Sequence, residues 1–177
     1  MLKKIVVIGP ESTGKSTLCE KLSAHFNAAW CPEFARAHLT EHGINYSFDD
    51  LLTIAKGQLL LEDEYTAKAE QNDHPCLFID TDMYVMKVWS EFVFGKCHQW
   101  ILDRITERKY DLYLLCKPDL PWVKDDLREY PDETRRMKLY HYYKDALVHQ
   151  STPWIEISGS YEDRLQKAID AVNKIVQ

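Results

Sequence analysis

The sequence lacks a long apolar run and lacks room for a processed leader. Nothing in its 177 residues approaches the roughly 20 consecutive apolar residues that a membrane-spanning helix needs. The N-terminus, Met1-Leu2-Lys3-Lys4, leads straight into the first predicted strand, which leaves no space for a signal peptide. We therefore expect a cytoplasmic protein with no membrane partner.

Paired cysteines and an excess of positive charge are also absent. The five cysteines are odd in number, widely spaced and without a C-x-x-C pair, which favours reduced thiols over a disulfide framework or a zinc site. The net charge of −6 argues against a nucleic-acid partner, because affinity for nucleic acid rests largely on clustered cations. No repeat or Pro/Gly-rich linker separates modules, so we expect residues 1–177 to form a single domain.

The most informative motif follows directly on the apolar run Ile5-Val6-Val7-Ile8. Residues 9–16 read G-P-E-S-T-G-K-S and match G-x-x-x-x-G-K-[ST], the phosphate-binding loop of nucleotide hydrolases and kinases. In such a loop, successive backbone N–H groups point at phosphate oxygens, and the helix that follows adds its positive dipole end. We expect Lys15 to bridge the β- and γ-phosphates of ATP and Ser16 to ligate Mg²⁺. The predicted nucleotide-binding residues are Gly9, Glu11, Ser12, Thr13, Gly14, Lys15, Ser16 and Thr17.

Short apolar runs alternate with helical patterns along the chain, which is typical of an α/β fold. Strands are predicted at 4–8, 28–31, 76–80, 112–116 and 154–157. Helices are predicted at 15–26, 49–70, 82–94, 98–107, 132–149 and 161–176. We expect a three-layer P-loop fold with a mainly parallel five-stranded sheet. A polar stretch with three prolines after the fourth strand predicts a lid at about 117–136.

Carboxylates at strand ends are candidates for chemistry, because ligands of open α/β sheets sit there. Asp80 ends the third predicted strand, as expected of an acid that holds Mg²⁺ directly or through water. Asp82 could contact substrate or cap the next helix. Glu33 could accept a hydrogen bond from a substrate hydroxyl or take its proton. Arg36 could pair with that carboxylate or with a transferred phosphate, or the two residues could form a surface ion pair.

Cations and aromatic rings complete the predicted site. Arg128 in the lid could neutralise charge during phosphoryl transfer, or could belong to a salt-bridged helix start. Trp122 in the lid and Trp89 on the helix after Asp80 could stack on a planar substrate, or could pack in the core.

Four segments together resemble a known family. The sequence reads G-P-E-S-T-G-K-S-T-L, then P-E-F-A-R, then I-D-T-D, then D-L-R before a lid-like helix, and it resembles the ribosylnicotinamide kinase domain of bacterial NadR-type proteins over nearly its whole length. The resemblance implies a fold similar to nucleoside monophosphate kinases. It also implies transfer of phosphate from ATP, with Mg²⁺, to the 5′-hydroxyl of nicotinamide riboside, a step of NAD salvage.

Carried over by position, the resemblance places Lys15 and Ser16 on phosphate and metal and Asp80 on the magnesium side. It places Glu33 and Arg36 near the ribose, and Arg128 in the lid. The chain begins at the first kinase strand, so we expect no adenylyltransferase or DNA-binding module.

The resulting hypothesis is a kinase for nicotinamide riboside, with Glu33 as first choice for the base and Asp80 as second. Two alternatives remain open. One is a kinase for another nucleoside or nucleotide, and the other is a regulatory P-loop ATPase that acts through a partner. The sequence leaves the oligomeric state open, with a dimer as one option.

Overall fold

The computed structural model describes residues 1–124, 126–127 and 129–176, which form five strands and seven helices. The strands are β1 (Lys3–Ile8), β2 (Ala29–Cys31), β3 (Cys76–Asp80), β4 (Leu112–Cys116) and β5 (Trp154–Ile157). The helices are α1 (Lys15–Phe26), α2 (Phe34–His42), α3 (Phe48–Gln71), α4 (Met83–Phe94), α5 (Gln99–Glu107), α6 (Glu133–Val148) and α7 (Tyr161–Val176).

The strands form one parallel sheet in the order β2-β3-β1-β4-β5. The first strand lies in the middle, where Val7 is opposite both Asp80 of β3 and Leu114 of β4. Because all strands run the same way, their carboxyl ends meet at one edge. The segments after β1, β2 and β3 therefore come together there, at the place where open α/β sheets bind ligands.

Apolar layers cover both faces of this sheet. On one face, Ile5 and Val7 pack with residues of α1 and α7. On the other, Val6 and Ile8 pack with residues of α3, α4 and α6. The four side chains of this central run are all 0% exposed, as expected of a parallel strand covered by helices on both sides. The predicted three-layer α/β fold with a five-stranded sheet is confirmed.

The largest difference from the predicted elements is helix α2, which the sequence prediction did not include. This helix packs against α3, and its first residue, Phe34, lies against Gly57. A Cβ atom at position 57 would come within 2.2 Å of the Phe34 ring, so the close approach depends on glycine. None of the helices in the described part of the chain combines the length and apolar character that crossing a membrane requires.

The predicted lid divides into two parts. Residues 133–136 belong to the first turn of α6, which Asp132 caps by accepting a hydrogen bond from the backbone N–H of Arg135. The part before Asp132 joins β4 to α6 outside regular secondary structure in its described residues. Arg128, predicted to act in the lid, lies outside the described residues.

Candidate active site

The phosphate-binding loop connects β1 to α1 in the strand–loop–helix arrangement expected from its motif. Gly9 has φ of 144°, and a Cβ atom there would lie 2.5 Å from the carbonyl oxygen of Cys116. Gly14 has φ of 78° and precedes α1 without a side-chain cap. The first N–H groups of α1 are therefore directed into the loop, as anion binding requires.

Two side chains of the loop bond to its own backbone. Thr13 Oγ1 donates to the carbonyl oxygen of Pro10 at 2.8 Å, and Lys15 Nζ donates to the same oxygen at 3.0 Å. The Lys15 ammonium group thus lies across the mouth of the loop, where a bound phosphate would replace the carbonyl as its partner.

Arg164 on α7 fastens the loop to the far end of the chain. Its guanidinium donates to the carbonyl oxygens of Thr13, Lys117 and Gly159 at 2.8–3.0 Å and pairs with Asp119. The residue is 2% exposed, so these bonds satisfy a buried charge.

Replacing Arg164 with Met is expected to lower the free energy of unfolding by about 2 kcal/mol, because it removes charge-assisted bonds and leaves carbonyl groups without a partner. Urea denaturation measures the change. Lys167→Met on the same helix removes an exposed ammonium group that bonds to Ser158, and it should stay within about 0.5 kcal/mol of the original protein. Equal values for the two variants would contradict this role of Arg164.

Ser16 and Asp80 meet at the edge of the sheet. Ser16 Oγ donates to Asp80 Oδ2 at 2.5 Å, although 64 positions separate the two residues. Asp80 is 0% exposed, and its Oδ1 atom has no hydrogen-bond partner in the described part of the chain. Burial raises the pKa of Asp80, while the Lys15 charge, the Ser16 bond and the Arg36 charge oppose that rise.

This pair fits a magnesium ion. The described residues contain no group of three or more His, Cys, Asp or Glu side chains that could hold a metal alone. Mg²⁺ needs no such group, since it is usually bound by one or two protein oxygens together with phosphate oxygens and water. The unpartnered Oδ1 atom of Asp80 is a buried acceptor of the kind such an ion requires.

Glu33 occupies the N-cap position of α2, but its side chain makes no cap hydrogen bond. The carboxylate instead lines the cleft and accepts a long hydrogen bond of 3.5 Å from Thr81 Oγ1. Burial, and after it the charge of Asp80, raises the pKa of Glu33, while Lys15 and Arg36 lower it. Because burial raises the pKa of both Glu33 and Asp80, their positions distinguish them: Asp80 is bonded to Ser16, whereas Glu33 lines the cleft.

Gln58 on α3 holds the two strand ends that carry these acids. Its Oε1 atom accepts from the backbone N–H of Phe34 at 2.7 Å. Its Nε2 atom donates to the carbonyl oxygens of Pro32 at 3.3 Å and Asp80 at 3.5 Å. The side chain is 1% exposed, and it fixes the spacing between the ends of β2 and β3.

A cleft of about 200 Å³ opens beside the phosphate-binding loop. Glu33 and Arg36 lie on it, together with four aromatic residues from α4, α6 and the segment before α6: Trp89, Phe92, Tyr130 and Tyr143. Trp89 is held in place because its Nε1 atom donates to the hydroxyl of Tyr46 at 2.8 Å. Glu33, Arg36 and Trp89 are thus brought together with residues 9–17.

Two predicted substrate-binding residues do not line this cleft. Asp82 caps α4, accepting from the N–H groups of Tyr84 and Val85 and from the Tyr113 hydroxyl. Burial raises its pKa to about 7. Trp122 donates from Nε1 to Glu11 at 3.3 Å. The structure therefore gives each of them protein partners, and a substrate contact of either stays a prediction.

Sequence reasoning missed Gln58 and three aromatic residues of this region. Phe92, Tyr130 and Tyr143 line the cleft, yet the sequence shows them only as members of an aromatic-rich composition. Gln58 could have been recognised from the sequence, because it is a polar residue between Ala55 and Leu59 on the otherwise apolar face of α3. A buried amide at such a position requires hydrogen-bond partners, and backbone groups of neighbouring strands can supply them.

Comparison with known proteins decides the family. A model described as an AAA domain matches residues 4–164 of the chain, which includes the phosphate-binding loop, Glu33 and Asp80. The chain belongs to the AAA domain family. This AAA domain is also 26% identical over 180 residues to the trifunctional NAD biosynthesis/regulator protein NadR of Escherichia coli K12. That match covers 99% of this chain and 43% of the relative, so the chain spans less than half of it.

Two solved structures of NadR resemble this AAA domain. One, NadR in complex with NR, superposes with a TM-score of 0.83 at 24% identity and covers 99% of this chain and 50% of that one. The other, NadR with NAD and AMP-PNP, has a TM-score of 0.77 at 23% identity and covers 99% and 49%. At these identities the two likenesses show the fold.

Proposed function

We propose that this AAA domain is an ATP-dependent kinase that phosphorylates the 5′-hydroxyl of nicotinamide riboside and yields nicotinamide mononucleotide. One observation carries the proposal: the phosphate-binding loop, Glu33 and a set of aromatic side chains line the same cleft, with Asp80 bonded to the loop through Ser16. The similarity to a relative named for NAD biosynthesis, and to NadR structures that hold NR and AMP-PNP, supports this choice of substrates.

In the proposed complex, ATP lies with its phosphates in the loop of residues 9–16. Lys15 contacts the terminal phosphates, and Ser16 with Asp80 would hold Mg²⁺. Held there, Mg²⁺ would supply positive charge against the negative charge that develops on the phosphate oxygens. Ser12, Thr13, Thr17 and the backbone of Glu11 stay predicted to bind the nucleotide, whereas the side chain of Glu11 bonds to Trp122 and to the backbone of Glu129 and Tyr130.

Nicotinamide riboside suits the remainder of the cleft because its planar ring carries a positive charge. Trp89, Phe92, Tyr130 and Tyr143 supply aromatic faces, which attract cations and stack on planar rings. Glu129 adds a carboxylate at the same wall. We place the ribose between this wall and the loop, next to Glu33 and Arg36.

The transfer step follows from that arrangement. The 5′-oxygen of the riboside attacks the γ-phosphorus of ATP while the bond from that phosphorus to the β,γ-bridging oxygen breaks, and its electron pair leaves with ADP. Glu33 accepts the proton of the 5′-hydroxyl, a role that its raised pKa favours. Lys15 and Arg36 stabilise the negative charge spread over the transferred group.

The test is release of ADP from ATP and Mg²⁺ with and without nicotinamide riboside. We expect strong stimulation and the mononucleotide as product, identified by chromatography. The 5′-deoxy analogue of the riboside is the matched control, since it keeps the ring and sugar but offers no 5′-hydroxyl, and it should not stimulate.

The other outcomes separate the alternatives. Stimulation by another nucleoside or by a nucleotide from a panel of common ones would keep the kinase and replace its acceptor. ADP release that is equally fast with no acceptor would contradict a kinase and favour a regulatory ATPase.

A further inference from the structure

The carboxylate of Glu11 is bonded to the segment that precedes α6. Its Oε1 atom accepts hydrogen bonds from the backbone N–H of Tyr130 at 2.5 Å and from Trp122 Nε1 at 3.3 Å. Its Oε2 atom accepts from the backbone N–H of Glu129 at 2.9 Å. One carboxylate of the phosphate-binding loop thus receives three donors from residues more than 110 positions away.

A second contact joins the same two segments. Ser12 Oγ accepts a hydrogen bond from the backbone N–H of Val123 at 3.0 Å. Residues 122–124, 126–127 and 129–130, which we call the strap, are therefore bonded to the variable positions of the phosphate-binding loop at both of their ends. A free carboxylate at this place would repel a triphosphate, and the three strap donors hold the carboxylate of Glu11 in a fixed position.

The strap also lines the cleft. Leu127, Glu129 and Tyr130 line the cleft, and the ring of Tyr130 meets that of Phe92 edge to face at 5.5 Å. Glu129 also accepts a hydrogen bond from the Tyr46 hydroxyl at 3.1 Å, and Tyr46 in turn accepts from Trp89. Hydrogen bonds and ring contacts thus connect Glu11, through the strap, to the aromatic residues that would bind the phosphoryl acceptor.

We propose that Glu11 is a positioning residue that fastens the strap and thereby sets the affinity for the phosphoryl acceptor, rather than a ligand of the nucleotide. The expected effect on acceptor affinity rests on the proposed kinase function. The expected loosening of the strap rests only on the contacts of Glu11. It assigns to a phosphate-loop side chain the task of shaping the neighbouring substrate site.

The kinetic test compares Glu11→Ala with Glu11→Gln. Loss of a charged acceptor with three donors should raise KM for nicotinamide riboside about 10-fold or more in Glu11→Ala. KM for ATP and kcat at saturating acceptor should change less than about 3-fold, since a uniform loss of acceptor binding leaves kcat unchanged. Glu11→Gln keeps one acceptor oxygen and should lie between. Glu162→Ala, an exposed acid on α7, is the control and should leave all constants unchanged.

The structural test needs no substrate and is hydrogen–deuterium exchange of the whole protein, followed by mass spectrometry. Peptides that contain Glu129 and Tyr130 should exchange faster in Glu11→Ala than in the original protein or in Glu162→Ala, because their N–H groups lose their acceptor. Unchanged exchange there, or a rise in KM for ATP in place of the acceptor, would overturn the proposal. Failure of nicotinamide riboside as a substrate would leave the exchange result intact, so the two proposals fail separately.

Discussion

Lys15→Ala is expected to abolish phosphoryl transfer from ATP, with kcat at least about 100-fold lower, the size of loss known for removal of one preorganised charge-stabilising donor. The ammonium group is the cation of the phosphate-binding loop, 3.0 Å from the carbonyl oxygen of Pro10. It also lowers the pKa of both Glu33 and Asp80. Its removal therefore takes away a phosphate contact and makes both acids harder to ionise.

Lys21→Ala is the matched control, because Lys21 lies on the same helix, is exposed, and has the ring of Tyr161 at 6.0 Å. It should keep full activity. Release of ADP measures turnover, calorimetric titration measures ATP affinity, and thermal melting checks that both variants fold. Retained activity of Lys15→Ala would defeat the phosphate-loop interpretation of residues 9–16.

Glu33→Gln should lower kcat roughly 100-fold or more, within the range that a positioned general base contributes, while ATP affinity changes little. The substitution keeps the shape of the side chain and removes its ability to accept a proton. In the original protein, kcat/KM should fall as pH drops through the pKa of Glu33, because the protonated acid is no base. Since that pKa is raised, the fall should begin above the ordinary value of about 4.3, and Glu33→Gln should lose this dependence.

Asp80→Asn is the comparison that separates base from metal ligand. It should also lower kcat, but it should raise the Mg²⁺ concentration needed for half-maximal activity, which Glu33→Gln should leave unchanged. In Asp80→Asn the acid limb should also move to lower pH, because the charge of Asp80 is a cause of the raised pKa of Glu33. A variant of either residue with unchanged turnover would remove that residue from the mechanism.

The sequence was sufficient for elements whose signal is local. All five strands lie within one residue of their predicted bounds, because each is a short apolar run between polar or proline residues. The phosphate-binding loop was recognisable because all the residues of its motif occupy eight consecutive positions. Helix α2 was missed because its apolar residues are few and its position depends on Phe34 packing against Gly57, a contact between distant positions.

The candidate site divides in the same way. The proximity of Glu33 and Asp80 could be predicted, because the carboxyl ends of the strands of a parallel sheet lie at the same edge. The wall formed by Phe92, Tyr130 and Tyr143 could not, since it depends on how α4, α6 and the strap pack together. Glu11 was assigned to the nucleotide by its place in the motif, and only the folded chain reveals its bonds to the strap.

The parallel topology also orders events during synthesis. The phosphate-binding loop leaves the ribosome before the residues that shape it, because Gly9 packs against Cys116 and Thr13 is bonded to Arg164. The strand before the loop, β1, can form its sheet pairs only after β3 and β4, which begin at Cys76 and Leu112, have been synthesised. In a nascent chain the loop therefore lacks these contacts until the later segments follow, and the capacity to bind nucleotide should arise only after α7 has emerged.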